Sequence, residues 1–175
     1  MKKTARVIVT FKCNRKCPGC CNTNLPKHRE VHTDEELMEY QEIVITGGEP
    51  MLIPGKLLEL INRMWGKGYR GKMYLYTSFW NNKGISKEIL KELDGFTFTL
   101  HAECTDADIV ALKNLSNSGI LQDKDFSSRL VIDKRVYDRY DLSNINFSRW
   151  SFIRKLEWKE KGNPAENEDL LFYEL

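Results

Sequence analysis

Residues 43–79 read IVITGGEPMLIPGKLLELINRMWGKGYRGKMYLYTSF, and this stretch holds one complete strand–helix–strand unit. Ile43-Val44-Ile45-Thr46 is a β-branched run that Gly47-Gly48 stops. Leu57, Leu58, Ile61, Met64 and Trp65 then follow helical spacing, with Gly66 and Gly68 as the stop signal. Met73 to Phe79 forms the next strand. Two strands joined through a helix in so short a span fit parallel neighbours linked by a crossover.

The same alternation extends in both directions. Upstream, Arg6 to Phe11 is a first strand, and Thr33-Asp34-Glu35-Glu36 matches a capping box that opens a helix through about Tyr40. Downstream, Ser86 is placed to cap a helix whose apolar stripe is Ile89, Leu90 and Leu93. Phe96 to Leu100 makes a fourth strand, and Thr105 with Asp108 starts a helix carrying Ile109, Leu112 and Leu115. Arg129 to Ile132 is a fifth strand, and Trp150, Phe152, Leu156 and Trp158 fall on one parity of a sixth. The expected fold is α/β with parallel strands, one domain over 1–175 whose core spans about 6–135. Residues 136–175 supply the last strand and an acidic tail. A closed eight-unit barrel needs roughly 250 residues, so an open doubly wound sheet or a partial barrel of six units fits this length. Either architecture puts functional residues at the carboxyl ends of strands.

Composition narrows the function classes. Hydrophobic residues are 41% of the 175, enough for a core, which excludes wholesale disorder. The 27 Lys and Arg nearly cancel 25 Asp and Glu, giving +2, so binding a polyanion by bulk charge is excluded. Charge is nevertheless uneven. Lys2, Lys3, Arg6, Lys12, Arg15 and Lys16 crowd the start, while Glu166, Glu168, Asp169 and Glu174 occupy the end. No apolar run reaches the roughly 18 residues of a bilayer span, and the basic start lacks a signal-peptide apolar stretch. The expected location is the cytoplasm.

Four of the five cysteines sit at 13, 17, 20 and 21, and in a reducing compartment such a cluster points to metal binding or catalysis rather than disulfides. Cys13, Cys17 and Cys20 have the spacing Cys-x3-Cys-x2-Cys directly after the first strand, with Pro18 and Gly19 supplying a tight turn. Three thiolates on one loop suit an iron–sulfur cluster with one iron left open. A zinc ion with a fourth ligand from Cys21, His28, His32 or Cys104 suits them as well. Gly47-Gly48-Glu49 adds a turn where a ligand can reach the backbone, followed by a carboxylate able to accept from a cationic amine.

Together, Cys13-x3-Cys17-x2-Cys20 after one strand and Gly47-Gly48-Glu49 after the next closely resemble the radical S-adenosylmethionine (SAM) superfamily. The resemblance covers about residues 6–135 by element order and is specific at 13–20 and 46–50. It implies a partial (βα)6 TIM-type barrel and a [4Fe-4S] cluster on Cys13, Cys17 and Cys20. It also implies SAM on the fourth iron, with its amino group held by Gly47, Gly48 and Glu49. Cleavage of SAM to a 5′-deoxyadenosyl radical, which takes hydrogen from a substrate, is the implied chemistry. Gly19 departs from the aromatic residue frequent before the third cysteine, at a place where backbone atoms make the contact. Thr77, Ser78 and His101, at the ends of the third and fourth strands, are candidates for contacts with SAM or substrate.

Cys17-Pro18-Gly19-Cys20-Cys21-Asn22 is similar to the activating enzymes of anaerobic ribonucleotide reductase, which act on a protein. Val44-Ile45-Thr46 before Gly47-Gly48-Glu49-Pro50 is more like 7-carboxy-7-deazaguanine synthase and other small-molecule enzymes. A zinc-stabilised binding module without turnover is the reading from a different class. The basic start would steer an acidic electron donor such as flavodoxin or ferredoxin. A chain this short has few loops for a lid, so a bulky substrate, a protein or a nucleic acid, is expected to complete the enclosure. Tyr137, Trp150 and Trp158 are expected on that contact surface. Cys21 and Cys104 are read as ordinary thiols, and His28 and His32 as solvated.

Overall fold

The computed structural model describes residues 2–17, 20, 28–122, 125–157 and 167–175. Its strands are β1 (Lys2–Ile8), β2 (Arg29–Glu30), β3 (Tyr40–Thr46), β4 (Lys72–Thr77), β5 (Gly95–Leu100), β6 (Ser127–Asp133), β7 (Phe152–Leu156) and β8 (Glu168–Phe172). Its helices are α1 (Asp34–Met38), α2 (Pro54–Gly66), α3 (Gly84–Lys91), α4 (Asp106–Ser116) and α5 (Lys134–Tyr137). Among the described residues, these eight strands join one parallel sheet in the order β2-β8-β1-β3-β4-β5-β6-β7. Strands β1, β3, β4, β5, β6 and β7 lie side by side in chain order, an arrangement compatible with a partial TIM-type barrel.

Strand parity sorts the two faces of this sheet. Ala5, Val7, Ile43, Ile45, Met73, Leu75, Phe96, Phe98, Leu130 and Ile132 are buried in a core that also takes Leu57, Ile61 and Met64 from α2. The opposite parity is largely polar. Thr4, Glu42, Tyr74, Tyr76, Thr97 and Arg129 line a cavity on that side. Parallel sheets packed on both faces read as unbroken apolar runs, whereas this alternation leaves one face wet and available to a ligand.

The expected capping box at Thr33 and the expected helix start at Thr105 both form. Thr33 Oγ1 accepts from Glu36 N while the Glu36 carboxylate takes the Thr33 amide, and Thr105 N and Oγ1 both donate to Asp108 Oδ2 at 2.8 and 2.9 Å. Other boundaries differ. The helix after Thr33 ends at Met38, because Tyr40 already belongs to β3. Ser86 does not cap its helix; it lies inside α3, buried, and donates to Asn81 Oδ1 at 2.6 Å. Trp150 precedes β7 rather than sharing its parity, and Trp158 lies outside the described residues.

The largest departure is at the carboxyl end. Glu168 and Asp169 of the acidic tail belong to a strand, β8, paired in register with β1 from Thr4↔Glu168 to Ile8↔Phe172. Both of these acids are held internally. Glu168 pairs with Arg6 at 2.6 Å, Asp169 accepts from Tyr40 Oη at 2.6 Å, and Leu171 is fully buried. The carboxyl-terminal segment therefore covers the edge of β1 that six strands alone would leave open.

Beyond β8, Tyr173 Oη donates at 2.8 Å to Asp34, whose carboxylate also takes Arg63 at 2.7 and 3.1 Å and Lys67 at 2.9 Å. Arg63 holds this carboxyl well below the usual carboxylate range, against the opposing effect of burial. A depressed folded value means that the contribution is complete above the unfolded value of about 4 and is lost as pH falls below it. The urea midpoint should accordingly hold from about pH 7 to 5 and drop below about pH 4, and Asp34→Asn should flatten that acid limb. An unchanged acid limb in Asp34→Asn would show that the cluster around Asp34 does not govern it.

Candidate metal and cofactor site

Leaving β1, the chain runs directly over the turn that ends β3. Val9 N donates to Thr46 O at 3.0 Å, Gly48 N to Thr10 O at 2.6 Å and Glu49 N to Lys12 O at 2.8 Å. A Cβ on Gly48 would stand 2.1 Å from Lys12 O, and one on Gly47, where φ is +141°, would stand 2.4 Å from Thr10 O. Among the described residues, the group that these glycines admit is the chain's own backbone. Gly47-Gly48 is thus the seat of the segment that enters the cysteine loop.

Cys13, Cys17 and Cys20 line one cavity together with Gly47, Gly48, Glu49, Thr77, Ser78 and His101. All nine residues expected at a site meet at the carboxyl ends of β1, β3, β4 and β5. Arg15, Thr46, Tyr76 and Thr99 complete the described wall. Cys13, Cys17 and Cys104 are free thiols, and Cys20 N donates to Cys17 O at 3.0 Å. Burial, then the charge of Glu103, push the Cys17 thiol up to about 12 despite the neighbouring Arg15.

Among the described residues, no three Cys, His, Asp or Glu side chains are gathered as a set for a single ion. Soft thiolates lining a shared cavity suit a polynuclear iron–sulfur group, in which each thiolate serves its own iron. Cys21, and Pro18 and Gly19 where a turn is expected, lie outside the described residues.

Glu49 is buried with both oxygens occupied. Oε1 accepts from Thr77 Oγ1 at 2.6 Å and Met51 N at 3.0 Å, and Oε2 from Ser78 N at 2.8 Å and Ser78 Oγ at 3.1 Å. Burial pushes this carboxyl up, and those four donors oppose it. Thr77 and Ser78 therefore act first as partners of Glu49, locking the end of β4 to the turn after β3.

Arg15 was not among the residues expected at the site. Its side chain is only 7% exposed, and it donates to Ser78 Oγ at 3.2 Å, to Ser78 O at 3.0 Å and in bidentate fashion to Asp108. Asp108 lies below its ordinary value, because Arg15 and Thr105 outweigh the burial that would raise it. Its capping role on α4 was legible, but its ion pair was not. His101 is mostly buried, which pulls its pKa down, with Arg15 adding to the effect.

Trp150, Tyr137, Cys104 and His28 sit elsewhere than expected. Trp150 is buried, with its ring 5.6 Å from that of Phe96 and Nε1 donating to Ser116 Oγ at 2.9 Å, so it is no contact surface. Tyr137 is half-buried under the Lys155 ammonium, 3.9 Å from its ring centre. Cys104 belongs to the core, where burial pushes its thiol up to about 11. His32 is exposed, whereas His28 is half-buried against Phe11 and Phe172. Arg6 and Arg15 are held internally, which leaves Lys12 and Lys16 as the described exposed cations of the basic start.

No family model matches the chain. Over 99 residues it is 30% identical to a protein of Methanocaldococcus jannaschii provisionally described as a glycyl-radical enzyme activating enzyme. That match takes in 53% of this chain and 38% of the relative, so the chain spans well under half of the relative's length. Among the described residues, no helix is long and apolar enough to cross a membrane.

Proposed function

We propose that the chain is a radical SAM enzyme of the activating kind, which takes hydrogen from a polypeptide partner. One observation carries this reading: three cysteines of one loop and the Gly47–Glu49 turn, far apart in sequence, line a single cavity at the strand ends. The similarity to a protein described as an activating enzyme favours a protein substrate over a small deazapurine or a nucleic acid. Cys13, Cys17 and Cys20 would hold a [4Fe-4S] cluster, and the wall from Gly47 to Glu49, Ser78 and His101 would receive SAM. When bound, that pair supplies one-electron cleavage of SAM and a carbon radical able to abstract hydrogen.

The chain's own residues do the holding. Glu49 fixes the ends of β3 and β4 relative to each other through Thr77 and Ser78. His101, neutral at pH 7 because burial lowers its pKa, presents a polar ring without adding charge to the cavity. Tyr76 and Thr99 extend the polar wall onto the inner face of the sheet. Flavodoxin or ferredoxin remains the proposed electron donor, approaching through exposed Lys12 and Lys16.

The test is to reduce the anaerobically reconstituted protein with SAM present and measure 5′-deoxyadenosine. A glycyl-radical-type polypeptide should raise the rate over reductant and SAM alone and leave an organic radical on the polypeptide. Coupled turnover on free nucleotides, with none on any polypeptide, would overturn the substrate class.

A further inference from the structure

We propose that Arg15 is the positioning residue that docks the cysteine loop onto the carboxyl end of β4 and the start of α4. Arg15 stands between Cys13 and Cys17, so its side chain is the loop's own handle. Its partners are distant in sequence. Ser78 lies 63 residues away and Asp108 lies 93 away, on two different elements. A guanidinium presents a planar fork that can hold a carboxylate with two parallel bonds while its Nε reaches a third group. Arg15 uses that fork on both partners, with Nη1 and Nη2 on Asp108, Nε on Ser78 Oγ and Nη2 also on Ser78 O.

The network has a direction. Ser78 Oγ has one proton, which it gives to Glu49 Oε2 at 3.1 Å, and its lone pairs accept from Arg15 at 3.2 Å. Asp108 Oδ2 accepts from Arg15 and simultaneously from Thr105 N and Oγ1, so the loop is tied to a helix cap that is itself formed. A continuous path of Glu49, Ser78, Arg15 and Asp108 thus joins the turn after β3, the end of β4, the cysteine loop and α4. A buried ion pair by itself is weak evidence for stability. What Arg15 contributes is register: it decides where the thiols of Cys13 and Cys17 stand relative to Gly47–Glu49.

The proposal deepens the reading of the cavity as a cluster site, and its test has one arm that does not depend on that reading. The metal-free protein is treated with N-ethylmaleimide, and modification of each cysteine is followed by mass spectrometry in the wild type, Arg15→Met, Arg15→Lys and Asp108→Asn. Cys104, buried in the core, reports global unfolding. We expect Cys17 to react about tenfold faster in Arg15→Met and Asp108→Asn while Cys104 keeps its rate. Arg15→Lys, which keeps the charge but loses the fork, should also react faster than wild type. In Arg15→Met, loss of the nearby cation alone would disfavour the thiolate and slow the reaction, so acceleration in that variant reports undocking.

Unchanged Cys17 rates, or a rise that Cys104 matches in all three variants, would overturn the proposal. In the second arm the proteins are reconstituted with iron and sulfide. Arg15→Met should retain less iron and shift the electron paramagnetic resonance spectrum of the reduced cluster. A wild type that takes up no iron would sink the cluster reading and leave the maleimide result to decide on Arg15.

Discussion

A chain ending at residue 166 should fail to fold cooperatively at 25 °C. The nine residues removed would read as a dispensable acidic tail, yet β8 is the neighbour of β1 on the side away from β3. Deleting it removes Leu171, which is fully buried, and exposes the edge of β1 from Thr4 to Ile8. It also strips Arg6 of Glu168, Tyr40 of Asp169 and Asp34 of Tyr173. Removing one partner of a buried, charge-bearing network costs about 3–5 kcal/mol, and a fully buried leucine adds about 2–5 kcal/mol. Such losses rival the whole stability of a domain, about 5–15 kcal/mol. Urea denaturation followed by circular dichroism checks this: a sigmoidal transition with an unchanged midpoint in the truncated chain would show that β8 is decoration.

Local signals explain what was legible in the sequence. The helix starts at Thr33 and Thr105 involve residues three apart, so the sequence carries their whole geometry. The strand ends carrying Thr46, Thr77 and Leu100 follow from β-branched or aromatic runs stopped by turn residues. The order of those strands in the sheet is the order in which they are met along the chain. That is why Cys13, Gly48, Ser78 and His101 could be expected at one end of the molecule before their contacts were known.

The features that are not legible in the sequence depend on long-range partners. Glu168 and Asp169 are poor strand formers on their own, and only Arg6 and Tyr40 make them suitable for β8. Trp150 looks like a surface aromatic among bases until Ser116 receives its indole N–H. Arg15 counts as one more charge in a basic stretch until Ser78 and Asp108 are placed against it. Gly47-Gly48 signalled a close approach correctly, but the backbone that approaches among the described residues is that of Thr10 to Lys12.

The second large effect concerns the three thiols, and it is complete loss rather than weakening. Cys13, Cys17 and Cys20 line the cavity with no disulfide among them, and each would hold a separate iron. Removing one thiolate leaves an iron without its protein ligand, and the remaining two cannot compensate from the same short loop. Cys104 sits in the core, so its removal should cost some packing and no iron.

The decisive measurement is therefore iron, zinc and acid-labile sulfide content after anaerobic purification and reconstitution, made on the wild type, Cys17→Ala and Cys104→Ala together. The cluster account predicts about four irons and four sulfides per chain in the wild type and in Cys104→Ala, and neither in Cys17→Ala. Stoichiometric zinc without labile sulfide in the wild type would contradict it.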